Sequence, residues 1–101
     1  MLNKVALLDK AQIGLDSLQK QDRLRVIKTI ESLVNFPSNP SLQVHKLKLK
    51  ENYFLARAGL KYRVIFQHQD NEITIADIVN HDRLESLYGS RIKKESLVET
   101  A

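Results

Sequence analysis

A chain of 101 residues, 43% hydrophobic and 28% charged, has the balance of one small globular domain and not of a disordered or fibrous segment. With no cysteine, disulfides and thiolate chemistry are excluded. No apolar run approaches the roughly 18 residues of a membrane span, and "MLNKVALLDKAQ" lacks the pattern of an export signal, so a cytoplasmic location without a membrane partner is expected.

"KVALL" (4–8) reads as a short strand, and Asp9 is a good N-cap for a helix over 10–20, where Ala11, Leu15 and Leu18 recur at helical spacing despite Gly14. Asp22 is the next N-cap candidate. "RLRVIKTIESLVNF" then sets Ile27, Ile30, Leu33 and Val34 on one face, and the helix ends before Pro37, which disfavours helical geometry in the residue ahead of it. "FPSNPS" is a loop, so the two helices form an αα-hairpin. After Ser41 the period becomes alternating: "VHKLKLKENYFLARA", "YRVIFQH" and "EITIADIVN" read as consecutive antiparallel strands over 42–80, with Asp70-Asn71 as a two-residue turn. "HDRLESLYG" follows as a short C-terminal helix. A single domain over 1–89 and a charged tail over 90–101, helical or mobile, are expected.

The net charge of +4 at pH 7 suits a polyanion without proving one. Residues 45–63 concentrate it: His45, Lys46, Lys48, Lys50, Arg57, Lys61 and Arg63 stand against one acid, Glu51. The hairpin register decides which face the arginines take. A three-residue connection, Gly59-Leu60-Lys61, sets Ala58 opposite Tyr62, Arg57 opposite Arg63 and Leu55 opposite Ile65. It gathers Phe54, Ala56, Ala58, Tyr62, Val64 and Phe66 on one apolar face. A two-residue connection puts a charge against the helices whichever face packs, and burying an unpaired charge is costly. The arginines therefore stand together on the face away from the helices. Continuing the sheet through Asp70-Asn71 sets Phe66 opposite Ile75 and Tyr62 opposite Val79. Straight pairing leaves Asp77 on the core face beside Val64, which a bulge near 76–78 would relieve. The architecture is α+β, a two-layer sandwich. An N-terminal strand and an αα-hairpin pack on one face of an antiparallel sheet, which the strand joins as an added edge or a central member, and a basic groove is expected on the other face.

"KLK...YFLARAGLKYRVIF...ITIADIVNHDRLESLYG" resembles the RelE/ParE superfamily of toxins from bacterial type II toxin–antitoxin pairs, in a basic Lys-Leu segment, an Arg-x-Gly-x-Tyr-Arg pattern and a His/Arg segment ending in Tyr. Here the turn is one residue longer, "RAGLKYR", and Arg83 lies nearer the last strand than is usual. The RelE-like branch implies an mRNA endoribonuclease acting in the ribosomal A site, where a 2′-hydroxyl attacks the adjacent phosphate without a metal or other cofactor. Such a step needs a base, an acid and cations for the transition-state charge. The catalytic candidates are Lys48, Lys50, Arg63, His81, Arg83 and Tyr88, with Lys46, Arg57 and Lys61 holding RNA phosphates. Arginine's planar fork suits phosphate oxygens. Histidine is the residue type that exchanges protons near neutrality, and His81 is an alternative to Arg83 for the same role. Tyr88 would stack on a base or relay a proton.

Each candidate has a structural alternative: the lysines as a solvated strand face, Arg63 as an ion-pair partner, His81 as a helix-start residue, Tyr88 as a core cap. Tyr62 belongs to the core. His45 and His68 lack metal-ligand spacing. The resemblance implies a cognate antitoxin as partner, in a toxin–antitoxin hetero-oligomer, besides mRNA and ribosome. It leaves two other functions open, a ParE-like inhibitor of DNA gyrase and a non-catalytic antitoxin-binding member.

Overall fold

The structure is a computed structural model that describes residues 2–38, 42–48 and 51–84. Strand β1 (Lys4–Leu7) leads into helix α1 (Asp9–Asp16) and helix α2 (Lys20–Ser32), which closes in a 3-10 turn over Leu33–Asn35. Neither aspartate is a cap. Leu8 and Gln19, both extended, hold the cap positions, and Asp9 and Asp22 sit in the first turns, where a carboxylate faces the positive end of the helix dipole. A cap is worth about 1 kcal/mol, less than the burial of the apolar side chains whose positions it would shift. On α2 the buried stripe is Val26, Ile30 and Leu33, while Ile27 and Val34 are half-buried. The spacing i, i+4, i+7 is an ordinary core-facing stripe, but it starts one residue earlier than the sequence suggested.

The remaining strands are β2 (Val44–Lys46), β3 (Tyr53–Ala58), β4 (Tyr62–Gln69) and β5 (Glu72–Asn80). They join β1 in one five-stranded sheet of order β1-β5-β4-β3-β2. The β2–β5 pairs are antiparallel as expected, and β1 is added at the edge in parallel with β5, Lys4 opposite Glu72 and Leu7 opposite Ile75. The hairpin register is the one the charges demanded, with Arg57 opposite Arg63 and Ala58 opposite Tyr62. Asp70 (φ 53°) and Asn71 (φ 63°) make the next turn, both left-handed as a two-residue type I′ hairpin requires.

Between β4 and β5 the register slips: Phe66 faces Ile75, but Ile65 faces Asp77, so Ala76 is the extra residue of a bulge. Asp77 thereby leaves the side of Val64, which now faces Ile78. Tyr62 faces Asn80 instead of the expected Val79, and Val79 faces Arg63. The pairing with β1 stops at Ile75, so the bulge lies where β5 gains an open edge. There Asp77, 5% exposed, accepts a bond from Ile78 N at 2.9 Å and pairs with Lys10 Nζ at 3.1 Å.

The main core lies between the helices and the sheet, with Val26, Leu33, Val64, Phe66 and Ile75 fully buried. Tyr62 packs at its margin. Phe36 meets Phe54 and Phe66 edge-on, each at 5.2 Å between ring centres. Asn3 ties β1 to the end of α2: its Nδ2 donates to Leu33 O (3.0 Å) and Phe36 O (2.8 Å), and its Oδ1 lies 3.3 Å from His68 Nε2. Asn3→Ala leaves two carbonyls without this donor and is expected to cost about 1–3 kcal/mol of stability. Urea denaturation measures it, and an unchanged midpoint would deny the amide any structural weight.

The opposite face is not the open basic groove that alternation suggested. Its centre carries a second apolar cluster, Leu47, Leu55, Ile65, Val79 and Leu84, with Tyr53 and Ala76 beside it. The cations are displaced to one end. Among the described residues no helix is long and apolar enough to cross a membrane.

Candidate functional site

Two arginines directly across a strand pair repel one another. Here the turn between them supplies the compensating dipoles. Gly59 adopts φ +72°, a left-handed conformation that favours glycine. Its carbonyl accepts from Arg57 Nε at 3.2 Å and Arg63 Nη1 at 3.4 Å. Arg63 Nη1 also donates to Leu60 O (3.3 Å) and Tyr62 O (2.8 Å), and Arg57 Nη1 to Gln43 Oε1 (3.2 Å). Carbonyl and amide oxygens, not carboxylates, thus face the pair, and neither arginine has an ion-pair partner among the described residues. Burial, and then the charge of Arg57, push the Arg63 guanidinium below its ordinary pKa. Both causes penalise the cation, so an anion placed between the arginines would relieve the repulsion.

The same end of the sheet receives the segment after β5. His81 N donates to Lys61 O at 2.7 Å, which joins that segment to the arginine turn. Residues 81–84 are helical, and Asn80 Oδ1 accepts from Arg83 N at 2.7 Å, as an N-cap side chain does. His81 and Arg83 are exposed.

No protein-family model and no curated protein matches the sequence. Solved structures do. The chain is similar to the archaeal RelE–RelB complex from Pyrococcus horikoshii, at 26% identity over 82% of this chain and 99% of that one, with a TM-score of 0.68. It is also similar to the RelB–RelE antitoxin–toxin complex from Methanococcus jannaschii (20% identity, 81% and 96% covered, TM-score 0.66). A third is the E. coli DinJ–YafQ toxin–antitoxin complex (16%, 83% and 98%, TM-score 0.68). By its fold the chain is a member of the RelE-like toxin superfamily.

On this RelE-like framework the candidate residues separate into groups. Arg57, Arg63, Lys61 and His81 come together at one end of the sheet, and Arg83 lies on the helix that starts there. Lys46 pairs with Phe54, so strand parity sets it with Val44 on the helix side of β2, not on the arginine side. The same parity sets His45, opposite Leu55, on the outer face, and beyond it Leu47, 1% exposed, belongs to the second cluster there. Lys48 is exposed beyond the end of β2. Lys50 and Tyr88 lie outside the described residues. Among the described residues no three His, Asp, Glu or Cys side chains cluster as a metal site.

Two partners of the arginine turn escaped the sequence. Gln43 bonds Arg57. Arg25 of α2 packs so closely over the turn that a Cβ on residue 59 would lie 3.4 Å from its Cδ and 3.5 Å from its Nη1. Helical periodicity separates a polar face from an apolar one. It carries no signal of what the polar face overhangs.

Proposed function

We propose that this RelE-like chain is the toxin of a type II toxin–antitoxin pair and that it acts as an mRNA endoribonuclease at the ribosomal A site, held in check by a cognate antitoxin. The observation that carries the reading is the Arg57–Arg63 pair, set in register with no ion-pair partner among the described residues. The solved relatives reported above as complexes with antitoxins support the partner. In the reaction the 2′-hydroxyl attacks the adjacent phosphorus, the 5′-oxygen leaves, and negative charge accumulates on the phosphate oxygens. Arg63, whose Nε and Nη2 are not engaged within the described residues, clamps those oxygens, and Arg57 backs it. Lys61 holds a flanking phosphate, while Lys46, to which the resemblance gives the same role, stands on the helix side of β2 and away from this surface. His81 exchanges a proton, with Lys48, Lys50, Arg83 and Tyr88 completing the set that the family resemblance implies.

One observation favours a second reading, a non-catalytic antitoxin-binding member: Arg63 Nη1 is already committed to three carbonyls of its own turn. Primer extension on a defined mRNA in a bacterial translation extract separates the two. Discrete cuts from the purified full chain are expected. A folded protein that makes no cuts overturns the nuclease reading, and loss of supercoiling activity in a gyrase assay would then point to the gyrase branch.

A further inference from the structure

The arginine turn has a second side. Between α2 and the β2–β3 end of the sheet runs an open groove of about 610 Å³, lined by Arg25, Lys28 and Thr29 of α2, by Gln43 and Arg57, and by Leu60 at the tip of the turn. Among the described residues three of its lining side chains are cations and none is acidic. Asp22, one turn before Arg25 on α2, lines the neighbouring hollow with Lys61 instead. Arg25 and Arg57 converge on the same residue, Gly59, one packed over its Cα side and one bonded to its carbonyl. Neither has an ion-pair partner among the described residues. Arg57 therefore belongs at once to this groove and to the pair with Arg63, so cations stand on both sides of the turn, on the outer face of the sheet and on α2.

We infer that the groove is a second phosphate-binding track, which holds the backbone of a single-stranded RNA on the α2 side of the turn while the reacting nucleotide lies at Arg63. This inference deepens the nuclease reading and rests on it for the identity of the strand. The lining favours a nucleic acid over an acidic peptide. Guanidinium and ammonium groups meet phosphates, and the Thr29 hydroxyl and Gln43 amide offer partners to sugar and base edges. A peptide that docks in a groove needs apolar pockets for its anchor side chains, and here the apolar lining is Leu42 and Leu60, the latter 74% exposed. Arg25 and Lys28 act as positioning residues, since the reacting atoms lie beyond Arg57.

The test is fluorescence anisotropy with a labelled 12-nucleotide 2′-O-methyl RNA, which cannot be cut, bound to the full chain over a salt series. Each phosphate neutralised on a single strand adds about 0.7 to the slope of log affinity against log salt. The Arg25→Ala/Lys28→Ala protein, with an unchanged circular dichroism spectrum, is expected to lose about 1.4 of that slope and to bind about 10-fold more weakly in low salt. Arg25→Lys alone is expected to keep the slope. An unchanged slope in the double variant overturns the inference, as does a wild-type protein that fails to bind the strand. So does an oligoglutamate peptide that competes through Arg25 and Lys28 as well as unlabelled RNA does. Because the probe is not cleaved, a lost slope supports the track even where primer extension finds no cuts, and cuts with an intact slope sink the track while leaving the nuclease standing.

Discussion

Arg63→Ala is expected to slow mRNA cleavage about 10²–10³-fold, the usual cost of removing one preorganised group that stabilises transition-state charge. Arg63 is only half-exposed, faces Arg57 in register and has no carboxylate partner among the described residues. It is thus held ready for an anion that the folded chain does not itself provide. The substitution also removes the Nη1 bonds to the carbonyls of Gly59, Leu60 and Tyr62, and a net loss of about 1 kcal/mol in stability goes with that. The two effects separate in two measurements. Primer extension under single-turnover conditions reads the rate, and thermal unfolding reads the turn. Arg63→Lys keeps a charge but lacks the planar fork, so it is expected to recover part of the rate. Cleavage at the wild-type rate by folded Arg63→Ala protein would take Arg63 out of the site.

Phe66→Ala is expected to destabilise the domain by about 3–5 kcal/mol, a large share of the roughly 5–15 kcal/mol available to a domain of this kind. Its ring is fully buried, stacked on Phe54 at 5.5 Å and met edge-on by Phe36 at 5.2 Å. It also lies at the position where β5 bulges, so relaxation that would fill the cavity has to move the register of the sheet. A fall in melting temperature of more than about 12 °C follows from 4 °C or more per kcal/mol in a domain this small. Calorimetry decides it, and a fall of only a few degrees would show that the aromatic cluster repacks. Phe54→Ala, at a site only partly buried, is expected to cost less.

What was legible and what was not divide along a physical line. The β3–β4 register could be read because one register alone keeps Arg57 and Arg63 off the helix side, and the price of a buried charge far exceeds any local preference. Asp70 and Asn71 announced their turn because few residues tolerate positive φ at both positions. The caps misled: Asp9 and Asp22 have the right chemistry, yet each sits inside its helix, because a preference of about 1 kcal/mol yields to packing. The bulge at Ala76 was only half visible. Asp77 signalled that straight pairing must fail, but the new partners of Tyr62 and Val79 depend on which residue is left out.

For the site the division is sharper. Composition and alternation established that cations gather between residues 45 and 63 and that two arginines share a face. They could not establish that β2 ends at Lys46, that Lys46 pairs with Phe54 while Leu47 turns to the outer cluster, or that Arg25 from α2 closes over Gly59. The sequence by itself determined the α+β order of elements, the β3–β4 register, the Asp70-Asn71 turn and the sign of the surface charge, since each follows from local conformation or from the cost of burying a charge. Only the tertiary structure decided the parallel β1 edge, the apolar centre of the outer face and the grouping of Arg25, Arg57, Arg63, Lys61 and His81. Those depend on contacts between segments far apart in the chain, and no local period encodes which two distant side chains will meet.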